Sequence, residues 1–432
     1  MFLRRFLPIL VVAILFAGIV WWASARYTAP AVVEARAGAP GPRFEMPVGD
    51  PAAATPGAVD YARLDARLQR LMADPAMVGL AVAVVEDGQI RFVKGYGETI
   101  AGSGDPVTTA TVFRWASLSK GVAADMVALL ANEQRLSLTD PAARYATSLR
   151  LPGGTEATVS VADVLAHRTG LFAHAQDSKL EDGQDPRMLR SELATLHDIC
   201  PPGTCHAYQN VAYDAASEIV ERVSGCSYAA AVGARLFRPL GMNRASIGRD
   251  GLMSAPSWAR GHVGGRSSQP IEITESYYRV PAAGGVNGSI EDLAIWMLAQ
   301  MGAAPDVLPQ AALGAVQAPQ VNTPGETRRR RQYIERTPSS AYGLGWRVFD
   351  YAGHRVIGHH GGVRGYRSMI LFDPVRKAGV VALWNAASSA PNGIEYEVMD
   401  MVYRLPFRDW LKIDAPAGAA EPEHPENEGG SA

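Results

Sequence analysis

The sequence is poor in cysteine and in lysine, and each shortage narrows what the chain can be. Three cysteines in 432 residues, Cys200, Cys205 and Cys226, are too few to build a fold from disulfides. Only His206 stands beside them and no second ligand pair follows, so no metal site is expected. Cys200 and Cys205 bracket Pro-Pro-Gly-Thr and, in an exported protein, are placed to close a small loop. Charge of one sign is also missing: a net charge of −2 gives no basic surface for nucleic acid. The one dense basic run, Arg328–Arg331, lies among Thr, Pro, Gly and Gln and reads as a solvated loop. There is no Gly-x-Ser-x-Gly, no His-Glu-x-x-His and no Walker-type glycine loop. The glycine pairs Gly95/Gly97 and Gly343/Gly345 lie in β patterns and lack a third glycine, so no nucleotide and no other cofactor is expected.

The lysine shortage has chemical content. There are five, Lys94, Lys120, Lys179, Lys377 and Lys412, and arginine supplies the remaining positive charge. Arginine never deprotonates and cannot act as a base. A lysine in a chemically suggestive position is therefore informative in this chain.

What the sequence does contain begins with a leader. MFLRR precedes FLPILVVAILFAGIVWWASA, about twenty uncharged residues, long enough to span a bilayer. Arg4 and Arg5 fit the cytoplasmic side and Trp21-Trp22 the far interface. Ala23-Ser24-Ala25 also fits a cleavage site. Residues 1–25 are thus expected to be a signal anchor, held in the inner membrane by residues 6–25, or a signal peptide cleaved near Ala25, with the rest periplasmic. The Ala/Pro/Gly-rich stretch 26–58 reads as a linker, and 414–432 as a disordered acidic tail. One domain, 59–413, lies between.

Within it, Tyr61–Met72 has helical spacing. VGLAVAVVED and GQIRFVKGYG read as strands joined by a hairpin at Asp87-Gly88. FRWASLSKGVAADMVALL reads as a helix over 113–130, with Val122, Met126, Leu129 and Leu130 facing inward. Signals from about 138 to 301 are mainly helical, β-type runs resume from 341 to 385, and a helix closes the chain over 394–405. The expected fold class is α+β: an antiparallel sheet flanked by helices and built from both chain ends, with a mainly helical region inserted.

Three short stretches carry candidate chemistry. Ser117 and Lys120 are spaced i, i+3, one helical turn apart. An amine there can remove the serine proton if burial or a neighbouring charge lowers its pKa. Ser119 points elsewhere and cannot share the task. In the loop Tyr208-Gln209-Asn210, the tyrosine can relay a proton to a leaving group and the asparagine amide can hold a substrate carbonyl. At His359-His360-Gly361-Gly362 the missing side chains let a substrate backbone approach a strand. Taken singly, each stretch has a plain alternative: a capped helix end, a packing tyrosine before an N-cap, a tight turn.

Together, Ser-x-x-Lys, Tyr-x-Asn and His-x-Gly in this order resemble the serine β-lactamase and penicillin-recognising hydrolase family, in its class C β-lactamase, esterase and D-aminopeptidase branch. HRTGL at 167–171, PLGM at 239–242, AYGLGW at 341–346 and PAAGGVNGSIEDLA resemble further phrases of that branch, and the likeness covers about 60 to 405. It implies Ser117 as nucleophile, Lys120 as its activating amine, Tyr208 as an aid to acylation and deacylation, and Asn210 as a substrate-orienting amide. It also implies substrate contacts from His359, His360 and Gly361, and an oxyanion hole of the Ser117 and Gly362 N–H groups. Histidine at 359, where many members carry lysine, is expected to titrate near neutrality and make carboxylate binding pH-dependent. The expected activity is acyl transfer to water on β-lactams, D-amino-acid peptides or small esters. The expected partners are small-molecule or peptidoglycan-type substrates. A membrane receptor that binds such molecules without turnover is the alternative.

Overall fold

The structure is a computed structural model and describes residues 57–414. The expected leader, nearly all of the linker and nearly all of the acidic tail lie outside the described residues. Among the described residues, no helix is long and apolar enough to cross a membrane.

The hairpin at Asp87-Gly88 is present. Strands β1 (Gly79–Glu86) and β2 (Gln89–Gly97) flank two residues with φ of 51° and 72°, a left-handed pair that Asp-Gly tolerates. Beyond the helical insertion come β6 (Val321–Asn322), β7 (Ser339–Tyr342), β8 (Arg347–Tyr351), β9 (His354–Val363), β10 (Tyr366–Asp373) and β11 (Ala378–Trp384). These eight strands form one antiparallel sheet in the order β2-β1-β11-β10-β9-β8-β7-β6. β1 lies against β11 with Leu80 opposite Trp384, so the sheet joins both ends of the domain, as its sequence pattern implies.

β1 is buried along its whole length, and period two explains how. Leu80, Val82 and Val84 enter one core with helix α1 (Tyr61–Leu71) and the closing helix. Ala81, Ala83 and Val85 enter the other, larger core. The first face is held polar-side as well: Arg67 of α1 grips Glu397 through Nε at 2.5 Å and Nη2 at 2.7 Å.

The stretch 113–130 departs from the all-helical expectation. Phe113–Arg114 forms β3, which joins β5 (Val286–Gly288) and β4 (Ser246–Ile247) in a second, three-stranded sheet. Ala116–Leu118 is a 3-10 turn, and helix α2 begins only at Ser119, running to Asn132. The pairing of β3 with β5 wins over helix propensity in the first two residues. α2 is buried on every side from Ser119 to Leu130, not on one stripe, because it threads the middle of the molecule. Gly121 permits this: a Cβ there would lie 2.7 Å from Trp296 and 2.8 Å from Trp346. Trp296 belongs to α4 (Ile290–Gln300); α3 (Ala215–Ser224) packs beside α2. Two short elements complete what the site needs, α5 (Pro324–Arg329) and the closing helix α6 (Ile394–Val402).

The arginine run is not uniformly solvated. Arg328 and Arg329 end α5 in solvent. Arg330 folds back, lying 4.9 Å over the Phe349 ring and donating to the Tyr396 hydroxyl at 2.8 Å.

Candidate active site

Ser117 is the half-exposed residue in a run that is otherwise buried from Thr111 to Leu130. It sits in the 3-10 turn just ahead of α2. The preceding Ala116 has a φ of 48°, a left-handed conformation costing roughly 1–2 kcal/mol in a residue with a Cβ. Neighbours hold that turn. Ser119 donates its hydroxyl to the Ala116 carbonyl at 2.6 Å and accepts the Val286 N–H at 2.9 Å. Ser368 of β10 donates to the Trp115 carbonyl at 2.7 Å. Ser119 is thus a structural brace, and its hydroxyl is already engaged.

Lys120 is fully buried, and its Nζ has three oxygen partners: Asn210 Oδ1 at 2.6 Å, the Ala283 carbonyl at 3.0 Å and Ser117 Oγ at 3.4 Å. A neutral amine has two N–H bonds and one lone pair. The two amide-type oxygens can only accept, so they take both N–H bonds and leave the lone pair for the Ser117 hydroxyl. Burial pulls the Lys120 pKa down to about 7; the Asp177 carboxylate opposes that and the Arg347 guanidinium adds to it.

Each partner of Lys120 is itself fixed. Asn210 donates Nδ2 to Asp177 at 2.6 Å, so both ends of its amide are engaged. Ala283 lies in the Pro-Ala-Ala-Gly-Gly segment, where Asp214 accepts the Ala282 N–H at 2.9 Å and is gripped by Arg190 at 2.8 Å. The Lys120 backbone carbonyl accepts from Tyr213 at 2.7 Å. Gly345 packs against the same carbonyl so closely that a Cβ would come within 2.5 Å of it.

Tyr208 shares a hydrogen bond with Ser117, and its ring centre lies 4.6 Å from Lys120 Nζ. Burial raises its pKa above the ordinary phenol value, so it is a protonated donor at neutral pH. The two titratable groups beside Ser117 are pushed in opposite directions, Lys120 toward the neutral amine and Tyr208 toward the protonated phenol.

The two adjacent histidines are parted by the strand. His359 faces the site and is buried. Its Nδ1–H donates to the His360 carbonyl at 2.6 Å, and its Nε2 accepts from Tyr342 and from Arg347 Nη1, each at 3.0 Å. Burial, with Arg347 and Lys120 facing it, drives its pKa well below the usual histidine range. The expected titration of His359 near neutrality is therefore corrected: the ring stays neutral, and the nearby fixed charge is Arg347. His360 points to the opposite face, 2.9 Å from Glu395 of α6, because neighbours on a strand alternate. The expected substrate contact from its ring is replaced by a packing role behind the sheet.

Gly361 brings β9 against the Ser117 turn. A Cβ there would stand 2.2 Å from Ser368 Oγ, 2.4 Å from the Trp115 carbonyl and 3.1 Å from the Ser117 nitrogen. The next residue, Gly362, is exposed at the opening.

Several residues of the site carry no short-range signal. Glu326, Asp177 and Arg190 meet it from distant segments, while Asp214 lies four residues beyond Asn210 and Arg347 directly follows AYGLGW. His167 and Tyr342 do lie in HRTGL and AYGLGW. His167 Nδ1 accepts the Gln209 N–H at 3.1 Å, and its Nε2–H reaches the Tyr342 hydroxyl at 3.2 Å. That chain runs on to His359, tying the tyrosine loop to β9. Just ahead of that loop, a Cys200–Cys205 disulfide closes residues 200–205, while Cys226 is free and exposed. Among the described residues, no cluster of His, Cys, Asp and Glu suited to a metal ion is found.

Comparison with known proteins agrees with this geometry. The family model for Beta-lactamase matches residues 64–398. The chain is 27% identical over 343 residues to an unguisins hydrolase of Aspergillus campestris, covering 76% of this chain and 61% of that one. It therefore spans about three fifths of that fungal relative's length. It is 27% identical over 304 residues to esterase EstB of Burkholderia gladioli, covering 62% of this chain and 76% of the other. The octameric penicillin-binding protein homologue of Pyrococcus abyssi has the same fold, with a TM-score of 0.71, 23% identity and coverage of 80% and 78%. With the family model spanning most of its length, and the serine, lysine and tyrosine gathered at one opening, the chain belongs to the Beta-lactamase family.

Proposed function

We propose that this chain is an exported serine hydrolase that forms an acyl-enzyme on Ser117 and cleaves small esters or amides, including β-lactam and D-amino-acid substrates. The observation that carries the reading is the environment of Lys120: two carbonyl-type acceptors occupy its N–H bonds and direct its lone pair at Ser117 Oγ. As Oγ bonds to the substrate carbonyl carbon, its proton passes to Lys120 Nζ. The developing oxyanion is received by the Ser117 and Gly362 N–H groups. The Tyr208 hydroxyl and the Lys120 ammonium supply the leaving group with its proton. Water then attacks the acyl carbon while its proton passes, through the Tyr208 hydroxyl, to neutral Lys120; the C–Oγ bond breaks as Lys120 returns that proton to Ser117 Oγ, releasing the carboxylic acid.

An esterase among the relatives supports ester turnover. The Cys200–Cys205 disulfide supports export, since such bonds persist in oxidising compartments. Residues 1–25 remain the candidate anchor or leader, and fractionation of cells for the full chain tests that placement. The activity test is the purified full chain and its Ser117→Ala variant against p-nitrophenyl acetate, nitrocefin and D-Ala-D-Ala peptides. Steady turnover that falls by at least about 10³-fold in the variant is expected. A single stoichiometric burst without turnover would instead favour the receptor alternative.

A further inference from the structure

Arg347 opens β8, opposite Gly358 of β9, and its guanidinium reaches into the site. Nη1 donates to His359, and its central carbon lies 5.5 Å from the Tyr208 ring centre. A guanidinium there would be a strong receptor for a substrate carboxylate, since its fork matches that group's geometry. The fork is already occupied. Nε donates to Glu326 Oε2 at 2.9 Å and Nη2 to Glu326 Oε1 at 3.2 Å. Side-chain exposure is 16% for Arg347 and 9% for Glu326, so the pair is held away from bulk water. Burial works against the Glu326 carboxylate, yet Arg347 outweighs it and holds the pKa down at about 2, which keeps the pair ionised. With His359 neutral, this flank of the opening has a cation and an anion that cancel. Arg329, one turn beyond Glu326, acts on it from an exposed position, where solvent and salt screen its charge.

Building on the acyl-enzyme reading, we propose that Glu326 is a specificity-determining residue. By locking the fork of Arg347 it makes this side of the pocket electrically neutral, and so ranks uncharged esters and amides above the carboxylate-bearing β-lactams and D-amino-acid peptides of the proposed substrate range. A carboxylate entering the pocket meets a guanidinium with its parallel donors spent and the Glu326 charge behind it. An uncharged ester or amide meets neither cost. Removing the Glu326 charge frees Arg347 to bind a carboxylate.

The test compares kcat/KM for p-nitrophenyl butyrate and the p-nitrophenyl half-ester of glutaric acid, on the full chain, Glu326→Gln and Ser117→Ala. The native chain should favour the neutral ester by about tenfold or more, and Glu326→Gln should cut that preference by about tenfold, mainly through KM for the anionic ester. A Glu326→Gln protein that turns over the neutral ester with the preference unchanged overturns the proposal. So does a native chain that takes both esters equally. If Ser117→Ala hydrolyses as fast as the native chain, the acyl-enzyme reading itself fails, which is a separate result. Should Glu326→Gln not fold, the native chain is titrated with phenylboronic acid and 3-carboxyphenylboronic acid. Weaker inhibition by the carboxylated compound is expected, and equal or tighter inhibition overturns the proposal.

Discussion

Arg347 donates to Nε2 of His359 across 3.0 Å, and an imidazole nitrogen that accepts cannot also carry a proton. The fixed positive charge of the site therefore resides on β8, one strand away from the position where the sequence places a titrating histidine.

The pH profile follows from Lys120. The amine must be neutral to take the serine proton, and its pKa is drawn down to about 7. Ester kcat/KM should rise with pH through about 7 and level off above it. Arg347→Met removes a charge that disfavours the ammonium, so the rising limb should move to higher pH. A profile flat from pH 5 to 9 in the native chain would exclude Lys120 as the base.

Lys120→Arg preserves a cation but not a base, because guanidinium does not deprotonate in proteins. We expect kcat/KM to fall by about 10²–10⁴-fold, the usual share of general base catalysis. Comparison at matched folding, checked by circular dichroism, is the measurement, and retention of more than half the native rate would contradict the assignment.

Gly361→Ala places a methyl against Ser368 Oγ and the Trp115 carbonyl, both closer than any ordinary contact. Strand β9 must then move off the Ser117 turn. A loss of about 1–3 kcal/mol in stability is expected, together with reduced acylation. Thermal unfolding of the variant reads the first effect and ester turnover the second.

Asp125 of α2 gives a stability signature distinct from the activity profile. Its Oδ2 accepts from Trp296 at 2.8 Å and Gln300 at 2.7 Å, and burial raises its pKa to about 7. The folded state thus holds a proton that the unfolded chain releases near pH 4. That stabilising contribution is complete below about pH 4 and is lost as pH rises through about 7, at on the order of 1 kcal/mol per pH unit. Asp125→Asn mimics the protonated form and should flatten this part of the stability curve. Urea titrations at pH 4.5 and 7.5 would show it, and an unchanged slope would refute the assignment.

How much of this was legible in the sequence depends on separation along the chain. Ser117 and Lys120 sit one turn apart, and Asp87-Gly88 makes its own turn, so local pattern suffices for both. Alternation says that His359 and His360 face opposite sides of a strand, but not which one faces the site. That parity depends on β10 and β8, which a local reading does not contain. Arg347 and Glu326 meet from separate segments, and no spacing rule links them. His167 and Tyr342 stood in phrases that marked the family, yet their task emerged only when Gln209, His167, Tyr342 and His359 were found in one hydrogen-bonded line.

The pairing of Leu80 with Trp384 has a bearing on how the domain comes into being. β1 is made early, but the neighbour that covers one of its edges is among the last strands to be synthesised. At about 5–20 residues per second, that edge waits for tens of seconds. Ser117 and Lys120 likewise exist long before Gly362 arrives to complete the opening. The Ser117 site therefore comes together only when the domain is nearly whole, and one edge of the β1–β2 hairpin stays open until β11 arrives.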